Sequence, residues 1–193
     1  AAHELAEAAR SALGAGLDIV VLNGPGPKPA TATAVDADDL REAVQTLLVF
    51  QQSLVARVLP GMRERGWGRI LAIGSSGVLE PIPSLVLSNV GRSALAAYLK
   101  SLATEVAGDG VTVNMLLPGR IDTDRVRSLD AAQAQREGRD PAEVAAAVAA
   151  SLPAGRYGTP EEFGAVAAFL CSQQAGYVTG SAVRCDGGAL HHL

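Results

Sequence analysis

The hydropathy pattern changes period several times along the chain, and each change marks an element. From Ala1 to Leu13 the residues Leu5, Ala8, Ala9 and Leu13 share one helical face, and Gly14 and Gly16 end the run. Leu17 to Leu22 is almost continuously apolar, the pattern of a parallel strand covered on both faces, and it stops at Asn23-Gly24-Pro25-Gly26-Pro27. Asp36 to Asp39 supply helix-starting carboxylates. The apolar stripe that follows, from Leu40 through Leu47, Val55 and Val58 to Met62, predicts one long helix over 40–62. Arg69 to Ile73 is a second short apolar run, halted by Gly74-Ser75-Ser76-Gly77. From Leu85 the spacing is helical again, placing Leu85, Ser88, Arg92 and Leu95 along one side, and the run continues, apolar nearly all round, to Val106. Val111 to Leu117 reads as a third long strand. Residues 128–151 are Ala-rich, charged and broken by Gly138 and Pro141, which predicts a mobile lid over about 120–155 with a second helix from Pro141. A last helix runs through Leu170, and a short strand covers 182–185.

Strands near 18–22, 69–74, 111–117 and 182–185, separated by helical stretches, predict an α/β fold with a doubly wound parallel sheet of about four strands. With 193 residues, 48% hydrophobic and 19% charged, the chain suits one domain, 1–193, with a sizeable core. A net charge of −4 and the lack of any basic run argue against nucleic acid as a partner, and no stretch is long and apolar enough for a membrane. Cys171 and Cys185 lack metal-ligand spacing, so no metal is expected and a reduced pair in the cytoplasm is. His3, His191 and His192 are too few and too terminal for a catalytic site, and Gly74-Ser75-Ser76-Gly77 is not the elbow of a serine hydrolase. The apolar girth of 85–106 predicts a homo-oligomer, dimer or tetramer, joined through helices 40–62 and 85–106.

Several ordered motifs sharpen this. Ser75 ends a strand, Ser88 follows thirteen residues on, and Arg92 four after that, ahead of Ser93-Ala94-Leu95. Pro118-Gly119-Arg120-Ile121-Asp122-Thr123 follows the third strand. Further on come Arg156-Tyr157-Gly158-Thr159-Pro160-Glu161-Glu162 and the closing Asp186-Gly187-Gly188. From about Ala1 to Gly188 the chain resembles the short-chain dehydrogenase/reductase superfamily, in particular its 3-oxoacyl-carrier-protein reductase branch. The resemblance implies the C-terminal half of a three-layer Rossmann-like fold. It also implies a small-molecule substrate and NAD(P)-dependent carbonyl reduction or alcohol oxidation. It carries the catalytic positions onto Ser75, Ser88 and Arg92, and the cofactor positions onto Asn23, Gly24, Pro118, Gly119, Ile121 and Thr123. The family has Tyr where Ser88 stands, Lys where Arg92 stands, and a water-holding, helix-kinking Asn where Leu47 stands. Its glycine-rich phosphate turn finds no counterpart in Gly24 to Gly26, because Pro25 and Pro27 have no amide to donate. An N-terminal segment of the natural gene carrying that turn is expected. Two other readings follow from the same substitutions: a cofactor-free lyase similar to halohydrin dehalogenases, which lack the nucleotide turn and carry Arg for Lys, and a non-catalytic binding or assembly subunit. Ser75 and Arg92 are expected to face one cleft at the carboxyl ends of the strands.

Overall fold

A computed structural model describes residues 1–191 of the chain; His192 lies outside them. Its frame is a parallel sheet, β1 (Ile19–Leu22), β2 (Gly68–Ile73), β3 (Val111–Pro118) and β4 (Ala182–Cys185), in the order β1-β2-β3-β4. The strands connect through α1 (Ala2–Leu13), α2 (Ala37–Val44), α3 (Phe50–Glu64), α4 (Val86–Val106), α5 (Asp124–Glu137), α6 (Pro141–Ser151) and α7 (Pro160–Leu170). Because side chains alternate across a strand, Ile70, Ala72, Val113, Met115 and Leu117 point to one face, where Val55, Val58 and Met62 of α3 and Leu95, Leu99 and Val106 of α4 close over them. Leu71 and Leu116 point to the other, onto Leu170 of α7. The helices therefore sandwich the sheet, as the alternating pattern predicts.

Helix starts follow the side chains that cap them. Asp36 opens α2 with a capping box completed by Asp39, and Thr159 and Glu162 do the same for α7. The long helix expected over 40–62 is interrupted. Between α2 and α3, Gln45–Val49 forms a π turn, whose extra residue lets buried Leu47 reach across to Gly91 of α4. A Cβ at residue 91 would lie 2.6 Å from Leu47 Cδ1, so the close crossing requires glycine there.

Two further expectations are corrected. β1 is not covered on both faces: Ile19 and Val21 are 47% and 51% exposed, since α7 lies over β2 and β3 and does not reach the edge strand. Nor is α4 apolar all round. Leu95, Leu99 and Leu102 face the core, while Ser93, Ala97, Ser101 and Thr104 form its solvent side. No helix among the described residues is long and apolar enough to cross a membrane, and no group of three metal-ligating side chains gathers among them. Cys171 and Cys185 are free thiols.

Candidate active site at the carboxyl edge of the sheet

Register fixes which loops meet. Leu22 lies beside Ala72, and Ile73 beside Leu116, so the loops carrying Asn23, Ser75 and Pro118 leave the same edge of the sheet. Ser75 has extended backbone and caps a short 3-10 turn, its Oγ accepting from Gly77 N–H at 3.1 Å. That bond occupies a lone pair and leaves the hydroxyl proton available for donation.

α4 then brings its first turns to the same place. Its first amide, Val86 N–H, donates to the Ala30 carbonyl at 3.2 Å, while Ala30 N–H donates to Ser84, so the loop after β1 is laid across the start of the helix. Asn89 fastens the intervening loop, donating from Nδ2 to the Ile82 carbonyl at 2.9 Å and accepting from Ile82 N–H at 3.3 Å. Ser88 is partly buried, one turn before Arg92. Arg92, also partly buried, donates from Nη1 to the carbonyl of Ile73, the last residue of β2, at 2.6 Å. Ser75 lies two residues past that acceptor. Among the described residues Arg92 has no carboxylate partner, and burial pushes its pKa down from the usual arginine value without threatening its charge.

The third wall is the segment after β3. Gly119 N–H donates to Cys185 at 3.0 Å, and a Cβ on Gly119 would lie 2.6 Å from the Asp186 Cα, so only glycine lets the two strand ends approach. Ile121 is buried, and Thr123 caps α5, its Oγ1 accepting from Val126 N–H at 3.4 Å. Asp130 of α5 is 3% exposed and joins Arg120 at 3.1 Å to the Tyr157 hydroxyl, which donates at 2.8 Å. Burial first, then the Asp130 carboxylate, pushes the Tyr157 pKa up to about 12. The predicted lid segment is thus fastened at its base. A Cβ on Gly26 would come within 3.7 Å of Arg125 Nη2, so the start of α5 also approaches the loop after β1.

Behind Asn23 and Gly24, a cleft of ≈ 310 Å³ is lined by Leu47, Phe50 and Gln51. Gln51 is 5% exposed and its Oε1 has no partner among the described residues. The residues assigned to a dinucleotide fit it unevenly. At Gly119 the backbone closely approaches Cys185 and Asp186, and Ile121 and Thr123 follow it on the same segment. The 23–27 loop offers little to a phosphate, because Gly24 N–H is already spent on Asn23 Oδ1 at 2.9 Å and Pro25 and Pro27 have no N–H. Asn89, Gln51 and Asp130 escape the sequence reading, and Tyr157 enters it only as part of a motif. Asn89, next to the family position at Ser88, was the one with a signal to follow.

A family model described as enoyl-(acyl carrier protein) reductase matches residues 1–190. Dehydrogenase/reductase SDR family member 4 of Bos taurus is 34% identical over 180 residues, covering 92% of this chain and 61% of that protein. The 3-oxoacyl-[acyl-carrier-protein] reductase FabG of Pseudomonas aeruginosa is 35% identical over 176 residues, covering 90% of the chain and 66% of that protein. The crystal structure of YwfH, an NADPH-dependent reductase involved in bacilysin biosynthesis, superposes with a TM-score of 0.92 at 27% identity, over 100% of this chain and 74% of that one. The chain thus spans roughly two thirds of the length of its curated relatives. On the family match, the relatives and the parallel sheet together, the chain belongs to the short-chain dehydrogenase/reductase family.

Proposed function

We propose that this chain forms the substrate side of an NAD(P)H-dependent carbonyl reductase in which a serine and an arginine stand where the family has its tyrosine and lysine. The observation that carries the reading is the convergence on one strand end. Ser75 keeps a free hydroxyl proton there, and Arg92 is held to Ile73, two residues away. A bound nicotinamide, lined by Asn23, Gly24, Pro118, Gly119, Ile121 and Thr123, would supply the hydride. The Ser75 hydroxyl donates to the substrate carbonyl, and the Arg92 charge favours negative charge developing on its oxygen. Ser88 is a poor acid at neutral pH because an alcohol ionises far above the ~10 of a phenol, so the final proton comes from water. Since a positioned general acid contributes about 10²–10⁴-fold, turnover should fall below that of a tyrosine-bearing reductase by a factor of that order. The test is to mix the chain with NADPH and NADH and follow nicotinamide fluorescence, then its oxidation with a panel of ketones. No fluorescence change and no oxidation with either nucleotide would overturn the reading.

Arg92 in place of lysine also favours a second reading, a cofactor-free lyase acting on halohydrins. Halide release from a small haloalcohol, without nucleotide, would distinguish it. Failure of both assays would leave a binding or assembly role.

A further inference from the structure

Arg92 is tethered in a way that leaves half of it unused. In arginine, Nη1 lies on the same side as Cδ, while Nε–H and one Nη2–H point in parallel from the opposite edge, a spacing that matches the two oxygens of a carboxylate. Nη1 is the nitrogen bonded to Ile73. The Nε/Nη2 edge has no protein partner among the described residues, and no carboxylate offsets the charge. Taking such a group partly out of water costs free energy unless something meets it. An arginine serving only to staple the helix to the strand would be expected to spend Nε as well, as Arg69 does on the Ser172 carbonyl.

We propose that the Nε/Nη2 edge of Arg92 receives a carboxylate of the substrate, and that the substrates are small oxo acids with the carbonyl one or two carbons from the carboxylate. The inference deepens the reductase reading and rests on it for the carbonyl. The tether fixes the guanidinium at Ile73, and Ser75 is two residues further along extended backbone, a span of roughly 7 Å that a short oxo acid can bridge. Ser75 then holds the carbonyl oxygen while Arg92 holds the other end, which fixes the carbonyl carbon for attack from one side.

The test compares pyruvate, 2-oxobutyrate and acetoacetate with their methyl esters, which keep the carbonyl and remove the charge. Binding is measured by calorimetry on the unaltered chain and on Arg92→Gln and Arg92→Lys. Each acid should bind about tenfold or more tightly than its ester, Arg92→Gln should erase that difference, and Arg92→Lys, which keeps charge without the fork, should fall between. Acids and esters binding alike, no heat with any acid, or an acid preference that survives in folded Arg92→Gln would each overturn the proposal. The first comparison needs no variant, so a misfolded Arg92→Gln does not shield it. Following NADPH oxidation with the same pairs separates the two ideas. Acid preference without oxidation sinks the reductase and leaves the anion site, whereas oxidation of acids and esters at equal efficiency sinks the anion site and leaves the reductase.

Discussion

An arginine meets each end of β2, Arg69 from the strand itself and Arg92 from α4, and the two are used differently. At the amino end Arg69 is 3% exposed, and it makes three bonds to backbone carbonyls: Nε to Ser172 at 2.9 Å, Nη1 to Gly68 at 2.8 Å and to Gly110 at 3.4 Å. Its guanidinium also stacks 4.5 Å from the centre of the Trp67 ring. At the carboxyl end Arg92 has one acceptor, Ile73, and an open edge. Burial pushes both pKa values down, so both cations are held at a desolvation cost. What differs is Nε, which meets the Ser172 carbonyl at Arg69 and has no acceptor among the described residues at Arg92. On the proposal above, burial alone does not separate a structural arginine from a binding one, and the state of the Nε edge does. The difference matches the general rule for open α/β sheets, in which ligands approach from the carboxyl ends of the strands.

The largest effect on stability is expected at Arg69. Arg69→Met should lower unfolding stability by about 3 kcal/mol, because it strands several carbonyls in a buried setting, and should leave ligand binding at the far end unchanged once the protein is folded. Denaturant midpoints together with the oxo-acid titrations check both halves. Arg92→Gln should do the reverse, costing about 1 kcal/mol of stability for one lost bond while lowering kcat/KM on the proposed substrates by about a hundredfold. If Arg92→Gln proved as destabilising as Arg69→Met, the two arginines would be one kind of staple and the contrast would be gone.

Asn89 and Ser75 sharpen the carboxyl end further. Asn89→Ala removes both bonds to Ile82 and frees the loop between Ser75 and α4, so a loss of about 1–2 kcal/mol is expected, with faster amide exchange confined to residues 78–85. Ser75→Ala removes only the cap on a three-residue turn and should stay within about 0.5–1 kcal/mol in stability. Its catalytic effect should exceed its structural one, a drop of about tenfold or more in turnover with a melting temperature nearly unmoved.

Much of the fold can be read from the sequence because strand and helix periods differ so clearly. The four strands fall within one or two residues of their expected positions, and the capping chemistry of Asp36 and Thr159 is local enough to see. The π turn at Gln45–Val49 escapes because its cause is tertiary: Leu47 must meet Gly91, forty-four positions away. The exposure of Ile19 and Val21 escapes for a related reason, since apolar continuity predicts cover on two faces and cannot say how far α7 extends. At the site, spacing brings Ser75, Ser88 and Arg92 to notice. It cannot reveal that Arg92 spends Nη1 on a carbonyl, or that Asp130, in a stretch that reads as a mobile lid, is buried between Arg120 and Tyr157.

Arg120 offers a third mode, an arginine met by a buried carboxylate, and its prediction is the smallest. Asp130 binds Arg120 on one oxygen and accepts from the Tyr157 hydroxyl on the other, tying α5 to the turn before α7. Tyr157 is held neutral beside the carboxylate, with its pKa pushed up to about 12 against an ordinary ~10. The sign follows from proton counting. Between ~10 and about 12 the unfolded chain has released this proton and the folded chain retains it, so stability falls as pH rises through that window and the contribution is fully present below ~10. Tyr157→Phe removes the bond at a cost of about 1 kcal/mol near neutral pH and should flatten that part of the alkaline slope, while Arg120 continues to neutralise Asp130. Melting temperatures of the two proteins across the alkaline range provide the check. Equal slopes would mean that the hydroxyl does not bind Asp130 in solution, and the base of the segment 120–155 would then be held by the Arg120 ion pair alone. In that case Arg120→Met, with Asp130 left as an unpaired buried carboxylate, should destabilise the chain far more than Tyr157→Phe does, which places this arginine with Arg69 rather than with Arg92.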